Sequence, residues 1–124
     1  MKFVPSFCSG LALLAIVHAA CTASAQHIGA GGYHSLALCS DGTLQAWGNG
    51  SSGELGNGDY TSMDHPVAVS TLTTMVAVAS GLGAHSLAVK SDGSLWAWGN
   101  NGAGQLGDGG TTGSPLPVQV SGLG

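Results

Sequence analysis

An all-β fold of stacked four-stranded blades is what this sequence predicts. Three observations predict it: a long phrase spelled twice, period-two alternation of apolar residues inside it, and a high density of glycine-centred turns. "HSLALCSDGTLQAWGNG" at 34–50 returns as "HSLAVKSDGSLWAWGNN" at 85–101. Shifting the chain by 51 residues makes 22 of the 40 positions from His34 to Thr73 identical to their partners. Self-similarity at a period near 50 marks stacked supersecondary units, each unable to bury its apolar faces alone.

The chain opens on "MKFVPSFCSGLALLAIVHAACTASAQ". Lys2 gives a short basic start, an apolar run follows from Leu11 to Val17, and Ala23-Ser24-Ala25 presents the small-x-small pattern that a signal peptidase cuts. Residues 1–25 are therefore expected to be a signal peptide, with Gln26 as the new terminus. The apolar run is shorter than the roughly 20 residues a spanning helix needs. Lipid attachment at Cys21 is the alternative, with His18 a poor fit to the pattern such sites use. Removal of the leader takes Cys8 and Cys21 with it and leaves Cys39. One cysteine supports no internal disulfide framework, and its counterpart one repeat on is Lys90. Cys39 reads as a half-exposed strand residue.

Beyond the leader the chain carries Asp41, Glu54, Asp59, Asp64, Asp92 and Asp108 against Lys90 alone, with no arginine anywhere. Nucleic-acid binding rests on Lys and Arg contacts to phosphate, so a chain with one cation excludes that class. Anionic membrane surfaces are disfavoured for the same reason. The 22 glycines suggest low complexity, but the ordered apolar alternation argues against disorder.

Within each unit, "HSLAL" and "TLQAW" alternate with period two. "SDG" joins them, and Asp-Gly is a strong hairpin signal because glycine takes positive φ without steric cost. Leu36 and Leu38 share one face; Leu44 and Ala46 share one, with Gln45 and Trp47 on the opposite side. The excursion "GNGSSGELGNGDYTSMDHP" follows, then "PVAV" and "MVAVAS". Four short strands joined by tight turns make one small sheet per unit. The first repeat is expected over 26–77 and the second, truncated, over 78–124. No helix-period stripe of useful length is present.

"GGYHSLAL", "SDGTLQAWGNG", "GELGNG" and "HPVAV", with their counterparts "AHSLAV", "SDGSLWAWGNN", "GQLGDG" and "LPVQV", resemble the regulator of chromosome condensation repeat. The resemblance runs from about Ile28 to Leu123. It implies blades of a β-propeller, commonly seven-bladed, of which two stand in this chain. One departure precedes the second histidine: Gly81-Leu82-Gly83-Ala84-His85 carries one residue more than Gly31-Gly32-Tyr33-His34. Two repeats do not close a ring of about seven. The chain is thus expected to be a piece of a longer product, or to complete its ring by self-association, since lone blades leave apolar faces and unpaired edges wet.

Candidate chemistry reads mainly as structure. His34 and His85 occupy one place in successive units, so a propeller separates them by a blade width, whereas a zinc ion draws its ligands within some 2 Å. They are expected to fix the blade through hydrogen bonds. Trp47 and Trp98 are the large apolar plugs between blades. Trp96, which replaces Gln45, lies two residues from Trp98 on the same strand face; it is either an exposed recognition residue or core. Gly48-Asn49-Gly50-Ser51-Ser52-Gly53 matches a dinucleotide pattern that works by aiming a helix at pyrophosphate, yet turn residues follow it. Asp41-Gly42 and Asp92-Gly93 are turns, and Gly56 and Gly107 are backbone positions of the repeat. Asn57-Gly58-Asp59 and Asp108-Gly109-Gly110 offer one acid each where calcium wants 6–8 oxygens. Ser35 and Ser86 adjoin the histidines, but adjacent strand residues point to opposite faces, which disfavours a nucleophile–base pair. No catalytic residue, metal or cofactor is expected.

The functional expectation is an exported, non-enzymatic propeller segment that binds a protein through variable loops at one rim. "GSSGELGNGDYTSMDH" and "NGAGQLGDGGTTGSPL" are those loops, and Tyr60, Trp96 and Glu54 are the candidate contacts. The resemblance supplies precedents: a secreted inhibitor of β-lactamases, and a namesake that exchanges guanine nucleotide on a small GTPase by means of a full ring and a loop insertion not visible here. The family's ultraviolet sensor uses clustered tryptophans with arginine pairs, and this chain has no arginine. A binding module of a larger surface enzyme is the remaining alternative.

Overall fold

The computed structural model describes residues 24–123. The leader and the Cys21 alternative lie outside these residues except at Ser24 and Ala25. Eight strands follow one another: β1 (Ala25–Ala30), β2 (His34–Cys39), β3 (Leu44–Gly48), β4 (Met63–Ala68), β5 (Met75–Gly81), β6 (His85–Lys90), β7 (Leu95–Gly99) and β8 (Ser114–Gln119). They form two antiparallel sheets, β1-β2-β3-β4 and β5-β6-β7-β8, each a meander in chain order.

Each blade is built around its Asp-Gly hairpin. Leu38 pairs with Leu44 and Val89 with Leu95, bracketing the two turns. Gly42 and Gly93 take φ of 84° and 90°, which only glycine adopts at little cost. Asp41 Oδ1 accepts from the Thr43 amide and hydroxyl at 3.0 and 2.6 Å, and Asp92 Oδ1 accepts from Ser94 at 2.9 and 2.7 Å. These bonds hold the Asp92 carboxyl below the ordinary carboxylate range.

The blade boundary differs from the sequence expectation. "MVAVAS" is β5, the first strand of the second sheet, so a division between 77 and 78 falls inside a strand. Periodicity identifies a strand but not its partner; here the β5–β6 hairpin decides the pairing. The first blade takes its first strand from "AQHIGA", whose exposed residues show no apolar alternation. The extra residue before His85 is absorbed in that hairpin. Gly81 pairs with His85 across Leu82-Gly83-Ala84, whereas the Gly31 amide bonds the His34 carbonyl across two residues. Ala84 completes the longer turn with φ of 60°.

The core lies between the sheets. Leu36, Leu38, Leu44, Ala46, Leu55, Val69 and Leu72 of the first repeat meet Met75, Ala88 and Trp98, with Val78 and Trp96 packed alongside. Cys39 lies on the opposite face of β2. It is buried and disulfide-bonded, and its partner lies outside the described residues. The expectation of a half-exposed residue is corrected; that of no internal disulfide concerned the chain beyond residue 25, and the described residues hold no second cysteine.

Candidate interaction rim and blade seam

Strand pairing puts four loops at one end of the molecule. His34, which opens β2, pairs with Gly48, which closes β3, and Gly48 pairs with Met63, which opens β4. The β1–β2 turn and the excursion 49–62 therefore share a rim. The same pairings in the second blade bring the β5–β6 turn and the excursion 100–113 to it. Backbone bonds tie turn to excursion: Asn49 N donates to Tyr33 O at 2.8 Å, and Asn100 N to Ala84 O at 2.9 Å.

The turns present Tyr33 and Leu82, each 86% exposed. They are close in space, because a Cβ added to Gly32 would stand 3.1 Å from the Leu82 carbonyl oxygen. Tyr60 on the first excursion is 54% exposed. Its amide bonds Asp59 Oδ1 at 2.7 Å, and the Thr61 hydroxyl bonds the same atom at 3.1 Å. Sequence reasoning missed Tyr33 and Leu82. Their signal was there: both sit where the two repeats differ in length.

The excursions are held by different side chains. Glu54 is 1% exposed. Its carboxylate accepts from Asn49 Nδ2 at 2.7 Å and from the Ser52 amide at 2.8 Å. In the second repeat Gln105 Oε1 accepts from the Ala103 amide at 2.8 Å. One carbonyl-type acceptor does the work in both, which is why acid and amide interchange. Glu54 is thus a buried loop staple, and its candidacy as a partner contact is corrected. Asn101, fully buried, donates to Asp108 Oδ1, Gly110 O and Thr112 O and accepts from the Leu106 amide. Gly50, its counterpart, is tied instead through the Ser62 hydroxyl at 3.1 Å.

The acids that faintly suggested calcium serve the loops too. Asn57 Oδ1 caps the Asp59 amide, and Asp108 Oδ1 caps the Gly110 amide. Among the described residues, no group of three or more His, Cys, Asp or Glu side chains converges. The Gly48–Gly53 stretch runs through turns with no helix behind it.

A buried polar relay crosses between the blades. His34 Nε2 lies 2.9 Å from Ser86 Oγ, and Ser86 Oγ lies 2.8 Å from the Glu54 carbonyl. The carbonyl only accepts, so Ser86 donates to it and His34 donates to Ser86 as the Nε2–H tautomer. Trp98 Nε1 donates to the same carbonyl at 2.9 Å. Burial pushes the His34 imidazole below its ordinary value, partly opposed by the Glu54 charge, so it sits neutral. The sequence placed serine and histidine on opposite faces of one strand. That holds within a repeat, but Ser86 meets the histidine of the other repeat. With both groups buried and Ser86 already donating, the pair is a staple rather than a nucleophile with its base.

Trp98 plugs the seam as expected and is fully buried. Gly56, with φ of 69°, lies beneath it; a Cβ there would stand 2.6 Å from Nε1. Trp96 is half-buried, packs against the core and bonds Ser94 Oγ at 3.0 Å, which decides for core between its two readings. Trp47 is only half-buried, because it faces away from the second blade.

Two models of the regulator of chromosome condensation (RCC1) repeat match the chain, one at residues 25–54 and 75–105 and the other at 41–89 and 92–124. The first pair of matches begins where β1 and β5 begin. Human E3 ubiquitin-protein ligase HERC2 is 37% identical over 100 residues, spanning 78% of this chain and 2% of the ligase. A Xenopus laevis RCC2 homolog is 39% identical over 89 residues, spanning 70% of this chain and 17% of that protein. The chain therefore spans a small part of the relatives it matches. Among solved structures, human WBSCR16 superposes with a TM-score of 0.72 at 28% identity, over 83% of this chain and 27% of that one. Prp20p of Saccharomyces cerevisiae, studied for its binding to Gsp1p and histones, superposes at 0.74 and 24% identity, over 82% and 26%.

Proposed function

The chain belongs to the regulator of chromosome condensation repeat family, and on that footing we propose that it is an exported, non-enzymatic propeller segment that holds a partner protein on its rim. The observation that carries this reading is the pair Tyr33 and Leu82, each 86% exposed on neighbouring turns. Large apolar side chains so placed, with Tyr60 exposed on a stapled loop of the same rim, are the rigid anchors that binding hot spots favour. Prp20p, which has the same fold, binds proteins.

Photo-crosslinking from position 60, on the same rim, in the native host tests the reading. A discrete adduct that disappears in Tyr33→Ala/Leu82→Ala chains of unchanged stability supports it; adducts indifferent to both substitutions sink it.

Export is supported by the small-x-small motif ending at Ala25. A disulfide at Cys39 also suits an oxidising compartment. The two features set a condition on each other, because Cys8 and Cys21, the remaining cysteines, belong to the expected leader. Cleavage after Ala25 and a disulfide within one chain exclude one another, and the intact mass of the exported protein decides between them. Nucleotide exchange, the alternative from the family's namesake, is tested by adding the chain to a loaded small GTPase; no acceleration removes it.

A further inference from the structure

Asparagine is a chemically labile residue, and most so before glycine, whose missing side chain leaves its backbone nitrogen free to attack the asparagine amide. The chain holds three such pairs: Asn49-Gly50, Asn57-Gly58 and Asn101-Gly102. Attack requires the side-chain carbon to reach the glycine nitrogen. Hydrogen bonds that hold either group in place therefore oppose it.

Two of the three pairs are locked within their own loops. Asn49 Nδ2 donates to Ser51 Oγ and Glu54 Oε1, and its Oδ1 accepts from the Ser62 hydroxyl. Asn101 is fully buried and its side chain makes four bonds. Asn57 is only half-buried, and its side chain makes one bond among the described residues: Oδ1 accepts from the Asp59 amide at 3.1 Å. That bond leaves Nδ2 free to depart and draws electrons from the carbon under attack. Gly58 is exposed, and what restrains it comes from the other blade. Its amide donates to the Pro115 carbonyl of β8 at 2.9 Å. Leu116 lies over it, 3.4 Å from where a Cβ on Gly58 would stand.

We propose that Asn57-Gly58 is a site of spontaneous deamidation, guarded by the hold of β8 on Gly58, and that reaction there unlatches the first excursion from the second blade. Local opening of the excursion frees the Gly58 amide, which gives up its proton to hydroxide. The nitrogen lone pair bonds to Asn57 Cγ, the Cγ–Nδ2 bond breaks, and Nδ2 leaves as ammonia with a proton from water. Water then opens the cyclic imide. Addition at Cγ leaves an ordinary aspartate at position 57; addition at the main-chain carbonyl carbon leaves isoaspartate. In isoaspartate the main chain runs through Cβ and Cγ and is longer by a methylene, which moves Gly58 off Pro115 together with the Asp59–Tyr60 turn. Both partners of the latch lie in the two blades described here. The chemistry is measured on the chain alone, so it stands or falls apart from partner binding at the rim.

Peptide mapping of the full chain as recovered from its host, after incubation at mildly alkaline pH, tests this. The expected result is amide-to-acid conversion at position 57 about tenfold ahead of positions 49 and 101, whose side chains must break at least two further hydrogen bonds. In urea the three sites convert at comparable rates. Leu116 is 44% exposed, so Leu116→Ala spares the core while loosening the guard. It speeds conversion at 57 several-fold and leaves 49 and 101 unchanged. Converted chains, separated by charge, exchange the Gly58 amide hydrogen faster than unconverted ones. Equal conversion at the three sites of the folded chain overturns the proposal, as does an Asn57 that stays intact when folded yet reacts in urea. A Leu116→Ala chain that converts at the parental rate overturns the guard, and a Gly58 amide that stays protected after conversion overturns the latch.

Discussion

Trp98 Nε1 donates a 2.9 Å hydrogen bond to the carbonyl oxygen of Glu54, 44 residues earlier and on the other blade. The same carbonyl accepts from Ser86. One backbone atom thus joins the two repeats, and Gly56 provides the room that the indole needs.

Gly56→Ala is expected to strain the backbone at φ of 69° and to press a methyl against the indole 2.6 Å away. The cost is about 2–4 kcal/mol, with a red shift of tryptophan emission as the plug opens. Gly109 has φ of 91° and open space, so Gly109→Ala costs about 1 kcal/mol from conformation alone. Urea unfolding of the two variants checks the difference, and equal costs contradict the seat.

Acid weakens the seam through His34. Burial lowers its folded-state pKa below the ordinary 6.5, so the unfolded chain binds the proton more readily. The stability this group contributes is present above 6.5 and is lost as pH falls through the folded-state value. Unfolding midpoints are expected to drop between about pH 7.5 and about pH 5.5. His34→Gln, which keeps a donor for Ser86 but does not titrate, flattens that drop. An unchanged pH slope in the variant contradicts the assignment.

Asn101→Ala leaves the Leu106 amide and three loop acceptors without their bond. The expected cost is about 2–3 kcal/mol, with new protease cleavage between 100 and 113 while the hairpins stay intact. Gln105→Glu is expected to stay within about 0.5 kcal/mol of the parent, because Glu54 does the same work in the first repeat. Limited proteolysis and chemical denaturation check both.

Thr71 sits at φ of 66°, and its repeat partner Gly122 at 76°. A β-branched residue there is strained. Thr71→Gly relieves the strain at some cost in unfolded-state entropy, for a net gain of about 0–1 kcal/mol. Thermal unfolding checks the sign; a clear loss contradicts the reading of strain.

The hairpins, the strand faces and the seam tryptophan were legible in the sequence because they rest on local rules: Asp-Gly turns, period-two alternation, and a large residue repeated on one face. The rim was legible as a pair of variable loops. Its contents were less so. Glu54 looked like an exposed acid, but its carboxylate turns inward to staple its own loop. Tyr33 and Leu82 drew no attention, because a turn residue's exposure depends on how its hairpin closes. The cross-repeat bond of His34 to Ser86 was not legible at all, since each residue's sequence neighbours place it on the wrong side of its own strand.

What the sequence alone determined is the repeat: its period, its strands and the chemistry that each face carries, all set by short-range sterics and alternation. Only the tertiary structure decided which strand belongs to which sheet, and which copy of each repeated residue is covered. Those depend on how one blade is laid against the next. Trp47 and Trp98 share the context "AWGN" yet differ in burial, because a sheet on one side of them is present for one and not for the other.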